Sequence, residues 1–291
     1  KGLGRAGRGK HPQWGTAAKQ GVGTSATMQS KVWFTLAQGV MTEVYYPDVT
    51  VANVHLLQFI VVNPKTKKVE TEQDDTIREV EVLDARSLSF IQTNSAESGE
   101  WMISKLYGVD PENNTVVFDV QFSSENPDLE LYIYYDPSLA NSGMHDSAWN
   151  EQQALYAHEK DTYSSLLLSE RLSEISNGFY GVNDGLTQLK RYGTIKNLYR
   201  RADNGNVVQM AKINLSKKQN GLWNVFTVAL GFGNTANTAR AAAQSSLTKG
   251  FKKCLEQYNK EWNEYVGRIP KFEPPVQQQF NMAAMQLKAH E

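Results

Sequence analysis

From about Trp14 to residue 233, apolar and polar residues alternate in short segments broken by turn residues. That is the pattern of an antiparallel sandwich rather than of strand–helix–strand units. In TVVFDVQF, Val116, Phe118, Val120 and Phe122 share one face while Asp119 and Gln121 share the other, a period of two with one face buried. The segment LELYIYY repeats it with Leu129, Leu131, Ile133 and Tyr135, and the intervening SSENPD is turn chemistry, so a hairpin is expected here. Further strand candidates are KVWFTL, VHLLQFIVV, TIREVEVL, SLSFIQT, EWMISKLY, YSSLLLS, NVVQMAKINL and LWNVFTVAL, most of them rich in β-branched and aromatic residues. So many strands exceed one immunoglobulin-like unit and predict an all-β fold, a large two-sheet antiparallel sandwich with interdigitating inner faces.

After Gly233 the pattern turns helical. Leu247, Phe251, Cys254, Leu255, Tyr258, Trp262 and Tyr265 recur at three- and four-residue steps and predict one helix of several turns, its propensity raised by Ala241 to Ala243. Pro270, Pro274 and Pro275 forbid a continuous helix beyond Ile269, so a linker is expected there. A second amphipathic helix then begins, with Val276, Phe280, Ala283, Ala284 and Leu287 on one side. Its apolar side is read as lacking a partner.

Composition narrows the function class. Hydrophobic residues make up 40% and charged residues 21% of the 291, a globular proportion. The formal charge of -1 gives no global field that would draw the chain to nucleic acid or to an anionic membrane, and a neutral partner such as a sugar fits better. No apolar run is long enough for a transmembrane helix. Cys254 is the single cysteine, so the fold rests on apolar burial without an internal disulfide. The opening KGLGRAGRGK, rich in glycine and basic residues, reads as an extended or tethered arm, with structure expected to begin near Trp14.

Candidate chemistry is sparse. VWFTLAQGVMTEVYYPDV holds two strand-like pieces joined by a turn at Gln38 and Gly39 and ends in Tyr45, Tyr46 and Pro47. Aromatics beside a turn can stack on a glucosyl ring or simply fill a core, and Glu43 between them can bond a sugar hydroxyl or a buried backbone group. Residues 136–152, DPSLANSGMHDSAWNEQ, read as a long polar loop carrying Trp149. Asp136, Asn141, His145 and Asp146 supply oxygen and nitrogen donors there without a metal-binding spacing, so no metal is expected. His55 and His158 sit in strand-like runs and are the histidines available to an epimerase-type site, with satisfied structural roles as the plainer reading. Cys254 reads as a buried small hydrophobe, and GVGTS and FGNTAN, which lack the phosphate-loop pattern, read as turns.

Six segments in order, HPQWGTAAKQGVGTS, SKVWFTLAQGVMTEVYYPDV, LYIYYDPSLANSGMHDSAW, GFYGVNDG, FTVALGFG and MQLKAHE, resemble the N-terminal domain of bacterial glucoamylases and glucodextranases of glycoside hydrolase family 15. The resemblance implies a super-β-sandwich of about seventeen strands, similar to galactose mutarotase-like domains, followed by linker helices and an (α/α)6 catalytic barrel. It divides the chain into a flexible arm at 1–12, a sandwich at 13–235, a helical linker at 236–275 and the first barrel helix at 276–291. The implied activity is exo-acting, inverting release of glucose from starch, maltooligosaccharides or dextran by the barrel. Inversion needs two carboxyl groups about 6.5 to 9.5 Å apart, and both belong to the barrel, so no catalytic residue is carried over and this chain is expected to be inactive by itself. Tyr45, Tyr46 and Trp149 are then the candidates for facing the barrel or its substrate. The implied partners are the barrel of the same polypeptide and its α-glucan substrate, with no cofactor, nucleic acid or membrane. The compartment implied is secreted or periplasmic, with which a chain starting at Lys1 is compatible. A free-standing carbohydrate-binding or mutarotase-like epimerase sandwich is the alternative.

Overall fold

A computed structural model describes residues 2, 8–216, 223–274 and 276–291. The expected arm at residues 1 and 3–7, Leu222 of the last strand candidate, and Pro275 lie outside the described residues. Seventeen strands run along the described chain: β1 (Gly21–Thr24), β2 (Trp33–Ala37), β3 (Val40–Tyr45), β4 (Val54–Asn63), β5 (Lys68–Thr71), β6 (Thr76–Val82), β7 (Phe90–Ala96), β8 (Trp101–Asp110), β9 (Thr115–Ser124), β10 (Glu130–Pro137), β11 (Asp146–Glu151), β12 (Ala154–Glu159), β13 (Thr162–Leu168), β14 (Arg171–Phe179), β15 (Arg201–Gly205), β16 (Val207–Asn214) and β17 (Trp223–Gly233). They form two antiparallel sheets. One has eight strands in the order β1-β2-β3-β4-β10-β16-β14, with β5 also on β4, and the other has nine in the order β15-β11-β12-β13-β17-β9-β8-β7-β6. The all-β sandwich expected from the alternation is the fold observed.

One expected pairing is not made. β9 hydrogen-bonds to β8 and β17 in the nine-stranded sheet, whereas β10 hydrogen-bonds to β4 and β16 in the other. The two strands are not a hairpin, because the SSENPD segment carries the chain from one layer to the other. Val116, Phe118, Val120 and Phe122 of β9 and Leu131, Ile133 and Tyr135 of β10 lie in one buried cluster between the sheets. The period-two reading holds for each strand, but it cannot say whether two adjacent strands share a sheet or face each other across it. The turn at Gln38 and Gly39 does close a two-residue hairpin between β2 and β3, and both residues have positive φ, as a turn that matches strand twist requires.

GVGTS is not a turn, since its first four residues are β1, paired with β2. A Cβ at Gly23 would lie 2.4 Å from the Phe34 ring, so the glycine there answers to close packing rather than to bending. FGNTAN likewise ends β17 and opens a helix, with Thr235 capping Thr238 N–H and the Thr238 side chain capping back. The chain also engages the fold earlier than Trp14: Arg8 O accepts from Asn206 N at 2.7 Å and Lys10 N donates to Tyr180 O at 2.9 Å. Gly9, with φ of +80, makes that approach possible, because a Cβ would sit 2.7 Å from Asn206 O.

Four helices complete the described structure: α1 (Gly185–Tyr192), α2 (Ala236–Lys249), α3 (Phe251–Val266) and α4 (Val276–Lys288). The single helix expected around residues 247–265 is two. Gly250, at φ +86, separates α2 from α3, so Leu247 belongs to the first and Phe251 onward to the second. α2 lies so close on β17 that a Cβ at Gly231 would meet Ala239 O at 2.4 Å, and its contacting side chains are Ala239 and Ala243. α3 buries Phe251, Cys254, Tyr258, Trp262 and Val266, one face at helical spacing. Trp262 Nε1 donates to Thr24 O at 2.9 Å and Tyr258 OH to Leu88 O at 2.9 Å, so the polar atoms of both rings are satisfied on burial.

The inner face of β8 carries one charge among its apolar residues. Lys105, fully buried, pairs with Glu72 at 2.6 Å and donates to Gly39 O at 2.9 Å. Glu72 in turn accepts from Phe59 N of β4 at 2.7 Å and from Asn94 of β7 at 2.6 Å, which ties both sheets to one carboxylate. Burial pulls the Lys105 ammonium below its usual range against the opposing pull of Glu72.

Candidate functional site

Tyr45 and Tyr46 stand at the end of β3. Tyr45 is opposite Trp33 in register, and Trp33 Nε1 donates to Ala289 O at 2.7 Å, so the last turn of α4 sits beside this strand pair. Tyr46 is held at its backbone by Val51 O and by the Asn53 amide, and its ring stacks on Phe232 at 5.5 Å. Both phenols are half-buried, and burial raises both above the usual tyrosine range, with the Glu43 charge adding to the effect on Tyr45. Glu43 itself is committed. It accepts from Gly15 N at 2.7 Å and bonds the Lys19 ammonium and the Thr42 hydroxyl, fastening residues 15–19 onto the sheet. Burial would raise its pKa, but the Lys19 and Thr42 bonds hold it below the ordinary value. Of the two sequence readings of Glu43, the backbone tether is the one observed.

Trp149 lies within β11 and not in a loop; the expected loop 136–152 shrinks to the short connection between Pro137 and Asp146, which includes a 3-10 turn at Leu139–Asn141. Its strand neighbours on either side are Arg201 and Tyr156. The indole stacks on Tyr156 at 5.1 Å and 7°, and the Arg201 guanidinium lies 5.6 Å from its centroid. The indole is thus packed between its two strand neighbours on this face of the sheet, and it is partly buried. His158 meets it edge-on at 5.8 Å, and Tyr156 OH accepts from Arg240 of α2 at 2.8 Å. The three candidates therefore do not converge. Tyr45 and Tyr46 belong to the eight-stranded side near α4, and Trp149 to the nine-stranded sheet near α2.

The two histidines do not converge either. His55 Nδ1 bonds the buried Asp136 carboxylate at 2.8 Å on the eight-stranded sheet, while His158 stacks on Tyr163 at 4.9 Å on the other. Burial works against protonation of His55, but the Asp136 bond and charge, with Glu43 beyond, raise its pKa above the usual value. Sequence reasoning had no signal for this pair: His55 and Asp136 are 81 positions apart, and only the pairing of β4 with β10 joins them. Among the described residues no group of three His, Cys, Asp or Glu side chains could hold a metal ion.

α4 has an inward and an outward seam. Asn281 and Met285, with Ala289 just past the helix end, are spaced by four and buried toward α3 and the sandwich, and Tyr265 OH of α3 donates to Ala284 O at 3.3 Å. On the opposite side Val276, Phe280 and Leu287 are 52%, 40% and 74% exposed, and Phe272 of the preceding segment packs on Phe280 at 4.6 Å.

The family model described as "Glucodextranase, domain N" matches residues 5–267. The chain belongs to this family. Two relatives of this domain N chain bear on its place in a larger protein. It is 32% identical to a glucoamylase of Clostridium sp. (strain G0005) over 292 aligned residues, covering 98% of this chain and 41% of that protein. It superposes with a TM-score of 0.94 and 30% identity on the crystal structure of a bacterial glucoamylase complexed with acarbose, covering 100% of this chain and 43% of that one. This domain N chain thus spans less than half the length of both relatives. The domain N match ends at residue 267, just past α3, and leaves α4 outside it.

Proposed function

We propose that this chain is the N-terminal accessory domain of a glucoamylase-like polypeptide, and that it carries and positions an (α/α)6 catalytic domain that releases glucose from α-glucans. The observation that carries the reading is the outward seam of α4. Val276, Phe280 and Leu287 form an apolar ridge on a helix whose other side is already docked, and both relatives have more than twice this length of chain. Tyr45 and Tyr46 favour the same side, because the end of α4 leaves the sandwich beside Trp33 and Tyr45. Trp149, flanked by Tyr156 and Arg201, fits a structural role in the nine-stranded sheet better than one in the interface. On this reading the chain contributes no catalytic carboxylate. The polypeptide works outside the cytosol, secreted or periplasmic, where glucans too large for uptake are met. The epimerase alternative has less support, since His55 and His158 lie on different sheets.

The test replaces Phe280 and Leu287 by Asp in the full-length polypeptide. Glucose release from maltooligosaccharides is expected to fall at least tenfold, or the barrel to melt several degrees earlier, because two buried charges would face the interface. Unchanged turnover and melting would remove the ridge from the interface and the proposal with it.

A further inference from the structure

A pair of facing carboxyl groups closes one end of the sandwich interior. β11 and β12 pair with Ser147 opposite His158 and Ala148 opposite Ala157, and both alanines point into the main core. Two residues along the same face, Asp146 and Glu159 come opposite each other just beyond the Ser147–His158 pair. Asp146 is fully buried and Glu159 is 4% exposed. Asp146 Oδ1 accepts from Leu139 N at 3.1 Å, and among the described residues neither Asp146 Oδ2 nor Glu159 Oε2 has a partner.

Among the described residues the surroundings supply no cation to these two oxygens. From β10 come Tyr135, whose hydroxyl bonds Ser164, and Asp136, whose one bonded oxygen is taken by His55. From the turn after β12 comes the exposed Lys160, which approaches only the other oxygen of Glu159, at 3.9 Å. On β15, Arg201 and Asp203 pair with each other, and His158 points to the opposite face of the sheet. Two ionised carboxylates cannot face each other at low dielectric without a large penalty, and an unpartnered carboxylate oxygen is an acceptor with nothing to accept. One proton on Asp146 removes the repulsion and turns its unpartnered oxygen from an acceptor into a donor facing Glu159.

We propose that Asp146 keeps its proton in the native state at neutral pH, a buried carboxylic acid facing Glu159, so that the β11–β12 end of the sandwich is held by a latch that alkali releases. Burial first, and the Glu159 and Asp136 charges after it, push Asp146 well above the ordinary aspartate value of 3.8. The folded state therefore holds a proton that the unfolded chain gives up near that value. The latch contributes in full below it, and its contribution is lost as pH rises from there toward the native pKa, by up to about tenfold in the folded-to-unfolded ratio per pH unit. Asp136, also raised by burial, acts in the same direction.

Asp146→Asn tests this in the 291-residue chain, since asparagine keeps an acceptor for Leu139 N and offers a donor to Glu159 without titrating. Urea unfolding at a series of pH values is expected to show the variant gaining on the parent as pH rises. The parent at pH 7 is expected to show a protonated-carboxyl C=O stretch in the infrared that the variant lacks. Parallel pH profiles would overturn the proposal, as would a variant less stable at every pH whose parent is stabilised by added calcium, since a cation would then occupy the gap. Should the variant fail to fold, the side-chain carboxyl carbon shift of Asp146 in the parent decides by NMR: an ionised Asp146 at pH 7 overturns the latch.

Discussion

α3 and α4 are both amphipathic, yet they occupy opposite situations. α3 has one apolar face and spends all of it on the sandwich, from Phe251 to Val266. α4 docks a thinner seam, Asn281 and Met285 with Ala289 just past its end, and turns an apolar seam outward. Hydrophobic periodicity reports that a face needs burial and says nothing about which molecule provides it. Among the described residues the sandwich and α3 cover one seam of α4, and only Phe272 reaches the other, at Phe280.

The sharpest test of the contrast is Trp262→Ala in α3. It removes a fully buried indole and the bond to Thr24 O, and about 4 kcal/mol of stability is expected to go with it in urea unfolding. Met285→Ala probes the docked seam of α4 and is expected to cost about 2 kcal/mol, since Met285 is fully buried against the same core. No loss there would mean that α4 is not docked at all. Leu287→Gln, on the outward seam where the side chain is 74% exposed, is expected to change the stability of this chain by less than about 0.5 kcal/mol. A cost above about 1 kcal/mol would show that the ridge already has a partner within the chain, and the contrast would fail.

Strand identity was largely legible because each inner face is written in every second residue, as in β9 and β10. Layer assignment was not, because a six-residue polar connection serves a hairpin and a crossing between sheets equally well, and SSENPD is the crossing. Glycine was the commonest source of misreading. Gly23 and Gly233 serve close packing, Gly250 divides a helix, and only Gly39 among these four does what a turn signal announces. At the candidate site, the sequence singled out three aromatics but could not show that two lie near α4 while the third is flanked by Arg201 and Tyr156 on the other sheet. Side-chain pairs such as His55 with Asp136 and Asp146 with Glu159 depend on strand register, which local pattern leaves open.

The Lys105–Glu72 pair bears on how the chain avoids wrong answers on the way to the right one. β8 is an amphipathic strand that other apolar strands would accept, and most misalignments would still bury tryptophan, isoleucine and tyrosine. Each of them would also bury Lys105 away from Glu72, Gly39 O and the amide of Asn94 that completes the set. An unpaired ammonium inside the core costs about 3 to 5 kcal/mol, comparable to a large buried side chain. The cost of breaking the pair therefore falls on any register that separates Lys105 from Glu72, a penalty that hydrophobic burial alone would not impose.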